Sequence, residues 1–313
     1  MSLCTPGTLQ FGIQLPVQAQ SKTFAQPWEA DADHETIVAI AQAADRLGYL
    51  YVGVCDHPVI EKRREDWEGT TWYDPIVTLS YLAAVTERIH LLTHVLVLPL
   101  RHPLMVAKSA STLDALSGGR LILGVGAGYA KGEFDALGAN HAERHRITND
   151  SVTVLKAAFA EEFPVATTSS FTLDGSLGAR PRPAREGGPP IWVGGSSPAA
   201  LRRAATSADG WIPQGQRLEE ALPMIAQLQE LRQESGQPPL DIGVYADVHV
   251  GNDVTHRSTI HGSPDQIAET FAKHLDAGVG HVMVRFRSTS PDDLEDQLAR
   301  FATEVAPHVR DAR

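Results

Sequence analysis

Short apolar runs alternate with longer stretches of helical periodicity from one end of the chain to the other. Residues 9–14 predict a strand, 34–47 an amphipathic helix and 50–55 a second, wholly apolar strand. The rhythm continues with helix 75–86, strand 89–98, helix 103–116, strand 121–125 and a helix over about 150–163. After an irregular stretch it resumes as strand 191–193, helix 198–206, strand 210–212, helix 219–234, strand 242–250, helix 264–276, strand 281–286 and helix 291–305. Eight units of this size predict an α/β fold of the (β/α)8 TIM-barrel type in preference to a doubly wound sheet.

Local punctuation agrees with the periodicity. Asp74-Pro75, His102-Pro103, Ser197-Pro198, Ser263-Pro264 and Ser290-Pro291 each put proline where the first helical N–H has no partner in any case, and most add a capping side chain. Gly48, Gly118 and Gly278 close the preceding helices, where a left-handed residue is needed. The stretch 161–190, containing "SFTLDGSLGARPRPAREGGPP", follows neither period and is long for a barrel loop. We read it as an excursion from a single barrel domain spanning 1–313, with a short hairpin around Asp174-Gly175. A linker between two domains is the alternative.

Composition narrows the function classes. Of 313 residues, 42% are hydrophobic and 21% charged, and no apolar run approaches the roughly 18 residues of a membrane span. The N-terminus shows no basic region followed by an apolar stretch, which makes a cytoplasmic location the expectation. The formal net charge of −11 argues against nonspecific binding to nucleic acid or to an anionic membrane, since both need a positive surface. Cys4 and Cys55 have no spacing that suggests a disulfide framework or a metal site.

In such a barrel the C-terminal ends of the strands and the loops after them form one face, where active sites sit. Three unusual groups fall there. "YVGVCDHPVI" (51–60) ends the second strand on Asp56, His57 and Pro58. The proline holds His57 extended, so His57 and Asp56 should project to opposite sides and not bond each other. A histidine there can supply a proton, whereas the plainer reading is a loop closed by hydrogen bonds. "GGSSP" (194–198), after the fifth strand, reads as an anion cradle: Gly194 and Gly195 admit a ligand, Ser196 and Ser197 offer hydroxyls, and Pro198 starts a helix with free N–H groups. Its plainer reading is a tight turn with a serine cap. "GAGYAKGE" (126–133), after the fourth strand, carries the weaker pair Gly126 and Gly128, since such pairs often serve packing only.

His94 interrupts the apolar run "LLTHVLVLPL", either as a core histidine bonded to backbone or as a strand residue displaced toward a ligand. "HAERHR" (141–146) lacks HxH or HExxH spacing, so metal binding is the minority reading and no metal ligand is assigned.

With these residues in place, the chain resembles the luciferase-like monooxygenase family, and within it the branch of oxidoreductases that depend on the deazaflavin coenzyme F420. The matching runs are "ERIHLLTHVLVLPLRHPLMVAKSASTLDALSGGRLILGVGAGYAKGEFDALG" and "PPIWVGGSSPAALRRAATSADGWIP", within a likeness over most of residues 9–290. The resemblance implies a bacterial luciferase-like TIM barrel with insertions, binding a flavin-type ring at its C-terminal face. It implies a non-proline cis peptide in the third strand, at His94-Val95 here, behind the ring, and a cofactor phosphate at 194–197. Asp56-His57 matches the Asp-His pair of the family's F420-dependent sugar-phosphate dehydrogenases, in which Asp contacts the cofactor and His donates a proton. Those dehydrogenases carry a Glu acid/base right after the Gly-x-Gly, where this chain has Tyr129, which argues against sugar-phosphate oxidation.

The expectation is a two-electron oxidoreductase exchanging hydride between F420 and a small organic substrate. His57 is expected as proton donor or substrate polariser, and Asp56 as a hydrogen-bond partner of the ring or its ribityl chain. His94 and Val95 are expected to shape the ring's back face, and Tyr129 to cap the pocket or donate a hydrogen bond. The nearest alternative is an FMN-dependent monooxygenase on the same barrel, with a flavin peroxide in place of direct hydride transfer. The acidic glutamyl tail of F420 would favour outer cations, for which Arg180, Arg182 and Arg185 are candidates. A metal-dependent hydrolase and a non-catalytic flavin-binding relative stand further off. Loops such as 14–33 and 61–73 are expected to wall the substrate pocket, and because family members often form dimers a homodimer stays open.

Overall fold

The computed structural model of the protein describes residues 3–253 and 258–309. Its frame is a ring of parallel strands: β1 (Gln10–Gln14), β2 (Tyr51–Val54), β3 (His90–Thr93), β4 (Leu121–Gly126), β5 (Ile191–Gly194), β6 (Gly210–Ile212), β7 (Asp241–Val250) and β8 (His281–Phe286). Each pairs with the next in chain order, and β8 pairs back to β1, so the barrel closes and exposes no edge. The helices that follow are α1 (His34–Leu47), α2 (Pro75–Ala83), α3 (Pro103–Leu116), α4 (Arg144–Ala160), α5 (Pro198–Ser207), α6 (Leu218–Glu234), α7 (Pro264–Asp276) and α8 (Pro291–Arg300). This is the (β/α)8 barrel that the periodicity predicts. No helix among the described residues is long and apolar enough to cross a membrane.

The helix starts work as the Xaa-Pro pairs imply. Asp74, His102, Ser197, Ser263 and Ser290 each accept a hydrogen bond from a backbone N–H of the first turn. Four boundaries differ from expectation. The apolar run 89–98 breaks into β3 and the two residues Leu96–Val97, which pair with the end of β4. A short helix, Lys131–Ala136, precedes α4, which itself begins at Arg144 and not near residue 150. The last helix becomes a π turn at Phe301–Val305.

In the 161–190 excursion the hairpin pairs Val165–Thr167 with Thr172–Asp174, so its turn lies at 168–171 and not at Asp174-Gly175. Thr168 makes that turn by accepting from the N–H groups of Ser170 and Phe171, while Asp174 accepts from Ser176 N–H and so turns the chain out of the second strand.

The N-terminal half of the barrel interior is sealed by three rings that no polar pattern announced. Trp192 stacks on His281 at 4.2 Å, and Tyr51 meets Trp192 edge-on and hydrogen-bonds His281 Nδ1 at 3.0 Å. Each ring lies over a glycine: a Cβ at Gly12, Gly210 or Gly243 would come within 2.2 Å of Tyr51, 2.4 Å of Trp192 or 2.2 Å of His281. With these rings filling the N-terminal half, the two cavities lined by His57 and His94 lie at the C-terminal ends of the strands. Because these rings are fully buried and cannot move aside, Gly12→Ala should destabilise the fold by about 1–3 kcal/mol. The expected readout is a lower urea midpoint at unchanged slope; an unaltered midpoint would show that the Tyr51 socket is not tightly filled.

Candidate active site

The site begins where β2 ends. Asp56 is buried, and its carboxylate accepts from Val97 N–H at 2.8 Å and from Arg101 Nη1 and Nη2 at 2.7 and 2.8 Å. This bidentate, charge-assisted contact fastens the chain beyond β3 to the end of β2. Between the end of β3 and the anchored Val97 lies the His94–Val95 peptide, which is cis, at the position the resemblance implies. Val95 fills space left by two glycines: a Cβ on Gly126 or on Gly194 would lie 2.7 Å from a Val95 methyl. Both therefore have a packing reason, where the sequence reading of Gly194 had been room for a ligand. Gly128 is also a packing position, with a positive φ of 72° and a Cβ site 2.6 Å from Val97.

His57 emerges on the other side of the chain from Asp56, as the proline implies, and its side chain is only 7% exposed. Its Nδ1 lies 3.0 Å from Glu133 Oε1, a carboxylate that is itself buried. A carboxylate oxygen accepts, so Nδ1 carries the hydrogen and Nε2 is the position left for exchange. Tyr129 Oη stands 3.4 Å from Nε2 and donates to Glu68 Oε1 at 3.2 Å, while Arg64 donates to the same phenol at 3.2 Å. Burial, then the charge of Glu68, raises the Tyr129 phenol above its ordinary value and keeps it protonated. Trp72 packs edge-on to the imidazole at 4.4 Å. The short helix Lys131–Ala136 brings the carboxylate of Glu133, four residues after Tyr129, to His57.

Two adjoining cavities open here, of about 370 and 440 Å³, and both are lined by His57, His94, Tyr129 and Gln214. The first runs from Val95 to Gly194, Gly195, Ser196 and Ser197. Gly195 takes a left-handed φ of 99°, Ser196 is exposed, and Ser197 caps α5 by accepting from Ala200 N–H. Beside this cradle, Arg203 is 4% exposed and directs Nε and Nη2 to Asn149 and to the His145 carbonyl, which leaves Nη1 buried without a partner among the described residues. Arg144 Nε and His145 Nδ1 are likewise buried and unpartnered. Burial pushes the Arg203 guanidinium down to about 10, still charged at neutral pH.

Orphaned N–H groups around a helix N-terminus are what a phosphate requires, and His94, with neither ring nitrogen partnered among the described residues, adds polar capacity at the cavity wall. The residues fit a flavin-type cofactor with its phosphate at α5. The insertion arginines do not reach this groove: Arg180 pairs with Glu162, Arg182 with the carbonyls ending α4, and Arg185 with His90 at the start of β3, the opposite end of the barrel. The loops at 14–33 and 61–73 do wall the second cavity, through Phe24 and Trp72 among others.

A family model described as luciferase-like monooxygenase matches residues 9–256. The chain belongs to the luciferase-like monooxygenase family. As a member of that family it is an oxidoreductase. It is 31% identical over 225 residues to the F420-dependent hydroxymycolic acid dehydrogenase of Mycobacterium tuberculosis, covering 70% of this chain and 60% of that one. In fold it matches the coenzyme F420 dependent tetrahydromethanopterin reductase of Methanopyrus kandleri, with a TM-score of 0.77, 19% identity and coverage of 96% and 99%. It also matches the FMN-bound oxygenating constituent of 3,6-diketocamphane monooxygenase from Pseudomonas putida, with a TM-score of 0.75, 16% identity and the same coverage. Luciferase-like barrels of both cofactor types therefore share this fold. Among the described residues no three His, Cys, Asp or Glu side chains converge on a metal position.

Sequence reasoning missed Glu133, Glu68, Arg101, Trp72 and Arg203. Glu133 had a signal, since it stands four residues after Tyr129, on the same side of any helical turn.

Burial lowers His94 to about 4 and His281 to about 3. Their unfolded values lie near 6.5, so between pH 6.5 and 4 the unfolded chain binds more protons than the folded one and stability falls as pH drops. For His94 alone the loss should approach about 3 kcal/mol. His94→Gln should flatten the fall of the urea midpoint over this window; an undiminished slope would mean that His94 is not held neutral.

Proposed function

We propose that the protein exchanges hydride between coenzyme F420 and a small organic substrate, with His57 moving the accompanying proton. The observation that carries this reading is His57 itself, fixed through Nδ1 by buried Glu133 and presenting Nε2 to both cavities beside Val95. A bound deazaflavin supplies a ring carbon that gives or takes a hydride. Arg203, Arg144 and the first N–H groups of α5 would hold its phosphate and Val95 would back its ring, while Asp56 acts as a positioning residue by fixing the chain that follows Val95. His57 Nε2 then takes the proton of a substrate hydroxyl during oxidation, or returns it during reduction. Glu133 stabilises the protonated imidazole, and the Tyr129 oxygen can accept from its Nε2–H at the same edge. F420 is preferred to FMN because the dehydrogenase relative, at 31% identity, is named for that coenzyme.

Titration with F420 and with FMN separates the cofactors. Tight F420 binding is expected, weakened about tenfold or more in Arg203→Gln, which removes a charge-assisted contact to phosphate. Tight FMN binding with no response to F420 would make the chain a flavin monooxygenase instead. During turnover with F420, His57→Asn should lower kcat by roughly 10²-fold or more with a smaller change in KM. An unchanged kcat would remove His57 from the chemistry.

A further inference from the structure

The second cavity carries charge that cofactor binding leaves unused. Asp247 in β7 and Arg285 in β8 are cross-strand partners, with Arg285 Nε donating to Asp247 Oδ1 at 2.8 Å. Arg287 Nη2 reaches the other oxygen at 3.3 Å, so two guanidiniums share one carboxylate. The Arg285 guanidinium lies 5.4 Å from the centre of the Phe24 ring and 5.3 Å from that of Tyr245, which fixes its plane. Its Nη1 and Nη2 make no hydrogen bond among the described residues, and Arg287 Nε is buried without a partner there.

Arg217, preceding α6, lines the same cavity and forms no ion pair among the described residues. Of the carboxylates in the wall among the described residues, Glu68 is taken by Arg64 and the Tyr129 hydroxyl, which leaves Asp247 against the three described arginines. Glu29 also stands near Arg285, but it does not line this cavity and accepts from Val17 and Gln26 N–H. Burial pushes the Asp247 carboxyl up, yet Arg285 and Arg287 outweigh it and hold it below the usual range, so it stays ionised.

We infer that this lobe binds an anionic group of the substrate, a carboxylate or a phosphate, on the Arg285 and Arg287 forks, so that the enzyme acts on organic anions. The inference rests on the proposed placement of the cofactor ring in the neighbouring cavity. Uncompensated guanidiniums crowded in a partly buried site repel one another, and an oxyanion relieves that repulsion while filling their free N–H groups in planar, bidentate geometry. Phe24, Trp72 and Tyr245 place apolar faces beside the cations, which suits the hydrocarbon part of an acid. His57 lines the same cavity, so a molecule held there by its anion can present its reacting end to Nε2. The glutamyl tail of F420 would bring the same carboxylate chemistry, and the test separates the two sources.

The full chain is probed with benzoate and with benzamide, which share a shape but not a charge, by thermal unfolding. Benzoate should raise the midpoint and benzamide should not. Arg287→Gln should weaken benzoate about tenfold, and Arg217→Gln, at the rim, should weaken it less, which keeps the test open if the first variant misfolds. Arg203→Gln, in the other cavity, should leave the benzoate shift intact. Equal shifts from both probes, no shift from benzoate, or loss of the benzoate shift in Arg203→Gln would overturn the inference. It would also be overturned if Arg287→Gln weakened F420 but not a tail-free deazaflavin, because the lobe would then hold the cofactor's tail. Benzoate binding without any F420 or FMN binding would sink the cofactor reading and leave the anion lobe standing.

Discussion

The carboxylate of Asp56 joins two parts of the chain that would otherwise part at the barrel mouth. By holding Val97 N–H and both terminal nitrogens of Arg101, it fixes where the chain runs after it leaves β3. The rest of the mouth follows from that position. His94 and Val95 lie between the end of β3 and the anchored Val97, Val95 fills the spaces kept open at Gly126 and Gly194, and His57, one residue past Asp56, turns the other way toward Glu133. Removing the carboxylate would leave the buried Val97 N–H without its acceptor, at a cost of about 1–3 kcal/mol, and Arg101 with only the longer contact to Asp74.

Charge at the mouth is distributed in three zones. Arg203, Arg144 and the start of α5 make one cationic end, and Arg217, Arg285 and Arg287 make the other. Between them lie Val95, the neutral imidazole of His94 and the protonated phenol of Tyr129, with His57 beside them. A neutral middle suits a flat ring system, and cationic ends suit the anions attached to it or to its reaction partner. In a chain of net charge −11 these positive zones arise from local placement and not from overall composition.

Most of the barrel was legible because strands, helices and their Xaa-Pro caps are local patterns, and each leaves its period in the sequence. Asp56, His57 and the 194–197 turn were found the same way, through breaks in pattern at strand ends. The rest depends on distant pairings that no local pattern records. Glu133 meets His57 across 76 positions of sequence, and Arg101 meets Asp56 across 45. The packing of Val95 against Gly194 was hidden for the same reason, since Val95 comes from the distant segment after β3. Asp247 and Arg285 could have been noticed, because each interrupts an apolar strand just as His94 does; what could not be read was that their strands place them side by side.

In the proposed site the cofactor ring belongs against Val95 and its phosphate beside Arg203. A crystal structure of the protein with F420 bound measures this directly. The expected result is the ring on Val95 with His57 at its open face, the phosphate hydrogen-bonded to Arg203 and the first N–H groups of α5, and Arg285 and Arg287 untouched by the cofactor. A ring or phosphate seated among Arg217, Arg285 and Arg287 would contradict it.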